Sequence, residues 1–282
     1  MPSNIPVQLP NGYLEFFSSL ESWQNEQQIK LQANMQLAQV VEEPLRKIAK
    51  HRRPLITITG LEIDPERYRQ LLADLLVFLI EQRPDIAASL EAIQQQLSSF
   101  DYALLITRLI EQDMKYLQEL ARSLKISPQL FIFVLDHAIR PFLRIYAAQY
   151  QADIFEYTYQ NWDLPTICPI CGSKSHFSRL RAEDGRRFMF CDRCFTEWET
   201  RYLECVHCGN DEPGKINYIS VENDASNQLY ICEKCRGYLK TYDERPSGMP
   251  TDLFLANIQT IYLDLLAEEK GYSNHNDDWI AQ

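Results

Sequence analysis

Cys168-Pro169-Ile170-Cys171-Gly172, then eighteen residues, then Cys191-Asp192-Arg193-Cys194: this stretch decides how the chain folds. Two cysteines with two residues between them let a tight turn bring both sulfurs onto one ion. A second such pair after about 15–20 residues completes a four-sulfur site. The unit occurs twice, because Cys205-Val206-His207-Cys208 is followed, after twenty-three residues, by Cys232-Glu233-Lys234-Cys235. All eight cysteines of the chain fall in these four pairs. Pro169 pre-sets the turn of its pair. Gly172 and Gly209 stand directly after the second cysteine of theirs, where a positive φ is often needed.

Sequential pairing keeps each loop local. It places Cys168, Cys171, Cys191 and Cys194 on one metal ion and Cys205, Cys208, Cys232 and Cys235 on another, so two ions per chain are expected. Interleaved pairing, as in a RING, is the alternative, but such sites more often mix in histidine. Four thiolates suit zinc or a single iron, and the sulfur set alone does not select between them. They also close the site, leaving no open position for catalysis. A thioredoxin-like redox pair needs a helix starting at its first cysteine, a setting that only Cys232-Glu233-Lys234-Cys235 offers. His207 lies between two ligands, where its own ligation is geometrically poor, and it is expected to be exposed.

Between the pairs, Phe188-Met189-Phe190 and Asn217-Tyr218-Ile219-Ser220-Val221 read as hairpin strands, with Asp184-Gly185 as a turn before the first. Each unit is thus a knuckle, a hairpin and a second knuckle. Arg179, Arg181, Arg186 and Arg187 form a basic run beside Phe188. Residues 165–245 carry 12 basic and 13 acidic side chains, so this run reads as a solvated hairpin face.

Outward from the cysteines the composition changes. No cysteine precedes Cys168 or follows Cys235, and residues 1–160 read as helical. Asp64-Pro65 is an N-cap with proline at the first helical position. It opens a helix whose stripe is Leu71, Leu72, Leu75, Leu76 and Leu79. Further helices are expected over 85–98 and 101–124. Ser127-Pro128 repeats the start signal before Leu130-Phe131-Ile132-Phe133-Val134-Leu135, a helix apolar on nearly every face and therefore central. Pro141 within it deprives the carbonyl of His137 of its amide partner and predicts a kink. His137 itself reads as a core histidine satisfying a local hydrogen bond. Residues 13–50 read as two helices broken near Pro44, and Leu55-Ile56-Thr57-Ile58-Thr59 as a short strand or a buried extended loop. After Pro246-Ser247-Gly248, the spacing of Leu253, Phe254, Ile258, Ile261, Tyr262 and Leu265 predicts a C-terminal helix to about residue 270 that packs back on the helical domain.

The expected fold class is therefore α+β. Residues 1–160 form a helical domain, 161–199 the first four-cysteine ribbon, 200–245 the second, 246–272 the C-terminal helix and 273–282 a mobile tail. A formal net charge of -11 argues against broad affinity for nucleic acid or anionic membrane. With 45% apolar and 11% aromatic residues the chain can bury a real core. The longest apolar run, 71–80, contains Asp74 and is too short to span a bilayer. No secretory signal opens the sequence, so a cytoplasmic setting that keeps the thiols reduced is expected. Neither a Walker loop, a G-x-G-x-x-G nor a nucleophile elbow is found.

These residues resemble the FdhE family, the formate dehydrogenase accessory proteins. The resemblance is carried from Cys168 to Tyr242: Cys168-Pro169-Ile170-Cys171-Gly172, Gly185-Arg186-Arg187-Phe188-Met189-Phe190-Cys191, Cys194-Phe195-Thr196-Glu197-Trp198, Cys205-Val206-His207-Cys208, and Cys232-Glu233-Lys234-Cys235-Arg236-Gly237-Tyr238-Leu239-Lys240. Glu268-Glu269-Lys270-Gly271-Tyr272 also looks like the family's, and Arg53-Pro54-Leu55 with Asp64-Pro65 matches it in the helical half. The resemblance implies a cytoplasmic maturation factor that acts on the catalytic subunit of a respiratory formate dehydrogenase. It implies rubredoxin-like iron at both sites, with zinc as the other metal, and no catalysis of its own. Two other readings compete: a rubredoxin-like electron carrier, for which a helical domain of this size has no purpose, and a zinc-ribbon nucleic-acid binder, which the charge disfavours.

Overall fold

Leu71, Leu72, Leu75, Leu76 and Leu79 recur at helical spacing, and all five are buried along one helix, Pro65–Gln82. Asp64 caps it, its carboxylate accepting from the Glu66 amide at 3.0 Å. The structure is a computed structural model; it describes residues 9–33, 45, 48, 52–158, 162–221 and 224–275. In chain order its helices are α1 Tyr13–Gln32, α2 Ile56–Thr59, α3 Pro65–Gln82, α4 Ala87–Gln94, α5 Tyr102–Glu111, α6 Met114–Ser123, α7 Pro128–Ala148 and α8 Gln151–Thr158. Strands follow: β1 Phe177–Leu180, β2 Arg187–Phe190, β3 Glu197–Thr200, β4 Ile216–Val221, β5 Asp224–Cys232 and β6 Tyr238–Asp243. Two short helices, α9 Leu253–Gln259 and α10 Ile261–Glu269, end the described chain.

The all-round apolar helix is α7, and it is central. Thirteen of its residues are buried, and it packs against α1, α3, α5 and α6. It runs through Pro141 as one helix. The His137 carbonyl that proline leaves free accepts from Gln24 Nε2 of α1 at 2.8 Å.

Four local expectations are corrected. Residues 101–124 are two helices, because Gln112 takes a left-handed φ of 56° and Asp113 then caps α6 through the Tyr116 amide. Residues 55–59 are one helical turn, not a strand: Leu55 and Ile56 spend their amides on the carbonyls of Pro169 and Ile170 at 2.8 and 3.0 Å. The single C-terminal helix is two, divided at Thr260. It is α9 that packs on the helical domain, where Phe254 meets Phe17 of α1 edge to face; α10 lies on β5 and β6. Ser273, expected to begin a mobile tail, instead bridges to Gly237, and its carbonyl accepts from the Tyr238 amide at 3.1 Å. Residues 276–282 of that expected tail, like the expected break near Pro44, lie outside the described residues.

The two hairpin units join into one six-stranded sheet of order β3-β2-β1-β6-β5-β4. Within each unit the strands are antiparallel. The junction is parallel, β1 on β6, with Phe177 opposite Lys240 and Leu180 opposite Asp243. Each unit therefore presents its strands in the same order and direction, third-second-first, and the first strand of one unit receives the third of the other. Ser178 and Thr241 bond across the seam at 2.9 Å. The outer edge at β3 is closed by α8, where the Gln151 side chain donates to the Glu197 carbonyl at 3.1 Å and accepts from its amide at 3.2 Å.

The helical domain and the first ribbon share one core. Leu72, Leu75, Phe131 and Leu135 belong to the same buried cluster as Cys168, Ile170, Met189 and Trp198. Packing therefore runs straight across the boundary expected at 160/161.

Candidate metal centres

The four knuckles are built alike. In each, the amide of the residue after the second cysteine donates to the carbonyl of the first: Gly172 to Cys168, Phe195 to Cys191, Gly209 to Cys205 and Arg236 to Cys232, at 2.8–2.9 Å. In each, the amide of the first cysteine donates to the carbonyl of the next residue on: Ser173, Thr196, Asn210 and Gly237. The turn closes only if the residue after the second cysteine adopts a positive φ, and all four do: 78° at Gly172, 64° at Phe195, 67° at Gly209 and 58° at Arg236. Glycine takes this conformation freely; phenylalanine and arginine must be held there by their contacts. Phe195 packs on Phe190 and Phe254, with the Arg144 guanidinium 3.6 Å from its ring centroid. Arg236 stacks over Tyr272 at 3.7 Å and donates to the carbonyl of Lys270 at 2.7 Å.

This folding gathers the sulfurs into the two groups that sequential pairing predicts. Cys168, Cys171, Cys191 and Cys194 form one and Cys205, Cys208, Cys232 and Cys235 the other, the ligand atoms of each group lying within 4.8 Å of one another. In the first, Cys168 and Cys194 are 3.5 Å apart and Cys171 and Cys191 3.6 Å. In the second, Cys205–Cys235 is 3.7 Å and Cys208–Cys232 3.8 Å. A disulfide needs about 2.05 Å. A tetrahedron of sulfurs around an ion at about 2.3 Å has edges of about 3.8 Å. Both groups fit a tetrahedral thiophilic ion, zinc or iron, and could hold one each. Burial pushes the thiols of Cys168 and Cys191 up in the first group and that of Cys205 up in the second, so these must shed protons to bind a cation.

A buried arginine stands beside each group. Arg193, between the two cysteines of its knuckle, bonds Asp136 of α7 through Nε at 2.6 Å and the Leu109 carbonyl through Nη2 at 2.7 Å. Burial works against its charge, but Asp136 and the sulfurs of Cys171 and Cys191 outweigh that and raise its pKa. Burial likewise opposes ionisation of Asp136, yet Arg193 and Arg140 hold its carboxyl well below the usual carboxylate range. Arg187, on β2 of the first unit, reaches toward the second group. Its guanidinium carbon sits 4.2 Å from the Tyr230 ring centroid and 5.2 Å from that of Tyr202. Burial lowers its pKa, with Tyr230, Tyr202 and Cys205 opposing. Its Nε and Nη2 find no hydrogen-bond partner among the described residues.

The basic run is thus no uniform solvated face. Arg187 is 2% exposed, while Arg179 pairs with Glu197 and Glu244, Arg181 with Asp184, and Arg186 with Asp184 and Glu199. His207 is half-buried, not exposed: its Nε2 lies 2.8 Å from the Tyr238 carbonyl, and its ring fills the space above Gly237, where a Cβ would come within 2.6 Å of it. His137 is a core histidine, as expected, its Nδ1 3.2 Å from Gln24 Nε2. The anchoring roles of Arg193 and Arg236 escaped the sequence reading. Asp136 gave no signal for the first, because Arg140 four residues on already offers it a cationic partner within the helix.

Similarity to known proteins falls on the same residues. Residues 167–200 match the FdhE central domain and 203–280 the FdhE C-terminal domain. The chain is 34% identical over 151 residues to the FdhE homologue of Aquifex aeolicus, covering 52% of this chain and 50% of that one. It is 35% identical over 109 residues to the homologue of Pasteurella multocida, covering 37% and 34%. The chain thus spans half or less of the length of these relatives. In fold it resembles the crystal structure of the FdhE protein from Pseudomonas aeruginosa, with a TM-score of 0.59 at 22% identity over 92% of this chain and 86% of that one. Both four-cysteine units thus lie inside the stretches that match the FdhE central and C-terminal domains.

Proposed function

We propose that this chain is a cytoplasmic, metal-binding accessory protein for maturation of a respiratory formate dehydrogenase, and that it works by binding the catalytic subunit without turnover of its own. The observation that carries the reading is the pair of four-sulfur groups lying within the stretches that match the FdhE domains. In the first, Cys168, Cys171, Cys191 and Cys194 hold one ion; in the second, Cys205, Cys208, Cys232 and Cys235 hold the other. When bound, zinc or iron supplies a closed tetrahedral cross-link, and iron also a one-electron centre. The chain's own residues do the rest. The knuckle amides fix the sulfurs, and Arg193 and Arg187 place positive charge beside thiolates that carry a net negative charge around a divalent ion. The six-stranded sheet then offers a rigid surface braced by the helices. No nucleic-acid partner and no membrane insertion are part of this reading: among the described residues no helix is long and apolar enough to cross a membrane, and Arg179, Arg181 and Arg186 of the basic run are paired with carboxylates.

A deletion strain complemented with wild-type or cysteine-substituted chains tests it. Loss of formate dehydrogenase activity with the polypeptide still made, restored by the wild-type chain but not by one lacking both cysteine groups, supports the reading. Full restoration by the cysteine-free chain sinks it. Co-purification of the catalytic subunit with the tagged chain tests the partner separately.

A further inference from the structure

The two centres differ in what shields them. Around the first, Cys168, Cys171, Cys191 and Cys194 are 0%, 1%, 0% and 2% exposed. Its loops are also held from outside the ribbon. The amides of Leu55 and Ile56 bond the Pro169 and Ile170 carbonyls, Arg193 is clamped to Asp136, and Pro54 stands so close to Gly172 that a Cβ there would lie 2.9 Å from its Cγ. The second centre is covered on one side. Cys205 and Cys232 are buried, but Cys208 is exposed and Cys235 half-buried.

We propose that the second centre is the exchangeable one, at which an incoming donor ligand reaches the metal past Cys208 while the first centre stays closed. This rests on the metal-binding reading above. Cys208 Sγ would be the ligand that yields: a donor's lone pair would take its place on the metal, and the sulfur would leave as thiolate with its electron pair, so that nothing is oxidised or reduced. Donors of soft or borderline character, such as the cysteine thiolate or imidazole of a partner protein, match a thiophilic ion. For the first centre the same step requires the ribbon to part from Asp136 and from residues 54–56, so it waits on a local opening. Division of labour follows: the first ion is a staple between ribbon and helices, and the second is the one a partner can touch.

The test uses the full chain loaded with zinc and excess 4-(2-pyridylazo)resorcinol, whose absorbance reports released metal. Two phases of one ion each are expected, separated by roughly tenfold or more in rate. In parallel, iodoacetamide on the loaded chain, followed by peptide mass analysis, should modify Cys208 ahead of Cys171. That second measurement needs no variant and so does not depend on a mutant folding. Release of both ions at one rate, or equal modification of Cys171 and Cys208, overturns the inference and leaves the metal-binding reading intact. A chain that takes up fewer than two ions overturns both.

Discussion

Gln24 of α1 donates its Nε2 hydrogen to the main-chain carbonyl of His137 at 2.8 Å, in place of the amide that Pro141 lacks. Both residues are buried, and Gln24 also accepts from Arg144 Nη2 at 3.0 Å. A proline in a central helix would otherwise strand a buried acceptor; here the neighbouring helix meets it. Gln24→Leu leaves that carbonyl and one guanidinium hydrogen without partners, so a loss of about 1–3 kcal/mol is expected. Denaturant unfolding followed by far-UV circular dichroism measures it, and a loss below about 0.5 kcal/mol would mean that water replaces the amide.

The same buried corner predicts a pH dependence. Burial first, then the charges of Arg140 and Arg144, hold the His137 pKa well below its ordinary 6.5, with Asp136 opposing. The unfolded chain therefore takes up a proton that the folded one refuses. The stabilisation is complete above pH 6.5 and is lost as the pH falls below it, by up to about 1.4 kcal/mol per pH unit for one group. Unfolding between pH 7 and 5 should show this slope, and His137→Gln should flatten it by one proton's share. An unchanged slope in the variant rules His137 out as a source.

Arg193 ties the first ribbon to the helices. Arg193→Met leaves Asp136 with Arg140 alone and the Leu109 carbonyl with only the Gln112 amide at 3.3 Å. Loss of one partner from a buried pair costs about 3–5 kcal/mol. Helical unfolding should move to lower denaturant by that amount, while Arg201→Met, whose side chain is 80% exposed, should change it by less than about 0.5 kcal/mol. Equal effects from the two would remove the clamp.

Because the first centre lies in the main core, its ion should matter to the helices. Cys191→Ser removes a ligand from a site whose folding contribution is on the order of 10 kcal/mol, and it should lower the melting temperature of the helical signal. Cys232→Ser, outside that cluster, should cost the second ion and leave the helical transition nearly in place. A helical signal insensitive to both would restore an independently folding helical domain.

Gly237 offers a finer test of the second centre. A Cβ there would meet His207 Cδ2 at 2.6 Å and Cys235 Sγ at 3.1 Å, so Gly237→Ala must displace either the ring or a ligand. Metal content should fall from two ions toward one with α7 unaffected. Retention of two tightly held ions would show that the His207 ring yields.

Cysteine spacing pointed to two four-sulfur groups and favoured their sequential pairing over an interleaved one, and the alternating runs between the knuckles gave the hairpins. Those features depend on residues close in sequence, where turn geometry leaves little choice. The helical half was legible for the same reason: Asp64-Pro65 and the leucine stripe of α3, or the all-round apolar α7, are local patterns. Where short-range signals were even, tertiary contacts decided. Leu55 and Ile56 became a helical turn because the first knuckle's carbonyls needed their amides. The parallel seam between β1 and β6, which makes one sheet of two ribbons, joins residues sixty and more apart that no periodicity links. Arg187 read as part of a solvated face and Arg193 drew no reading, because burial of a guanidinium depends on which aromatic rings and carboxylates surround it. Only the folded chain brings Tyr230 and Asp136 to them. The same physics separates the two centres. Their cysteine pairs are alike in sequence, but the amides of Leu55 and Ile56 and the carboxylate of Asp136 fall on the loops of the first, while Cys208 of the second is exposed.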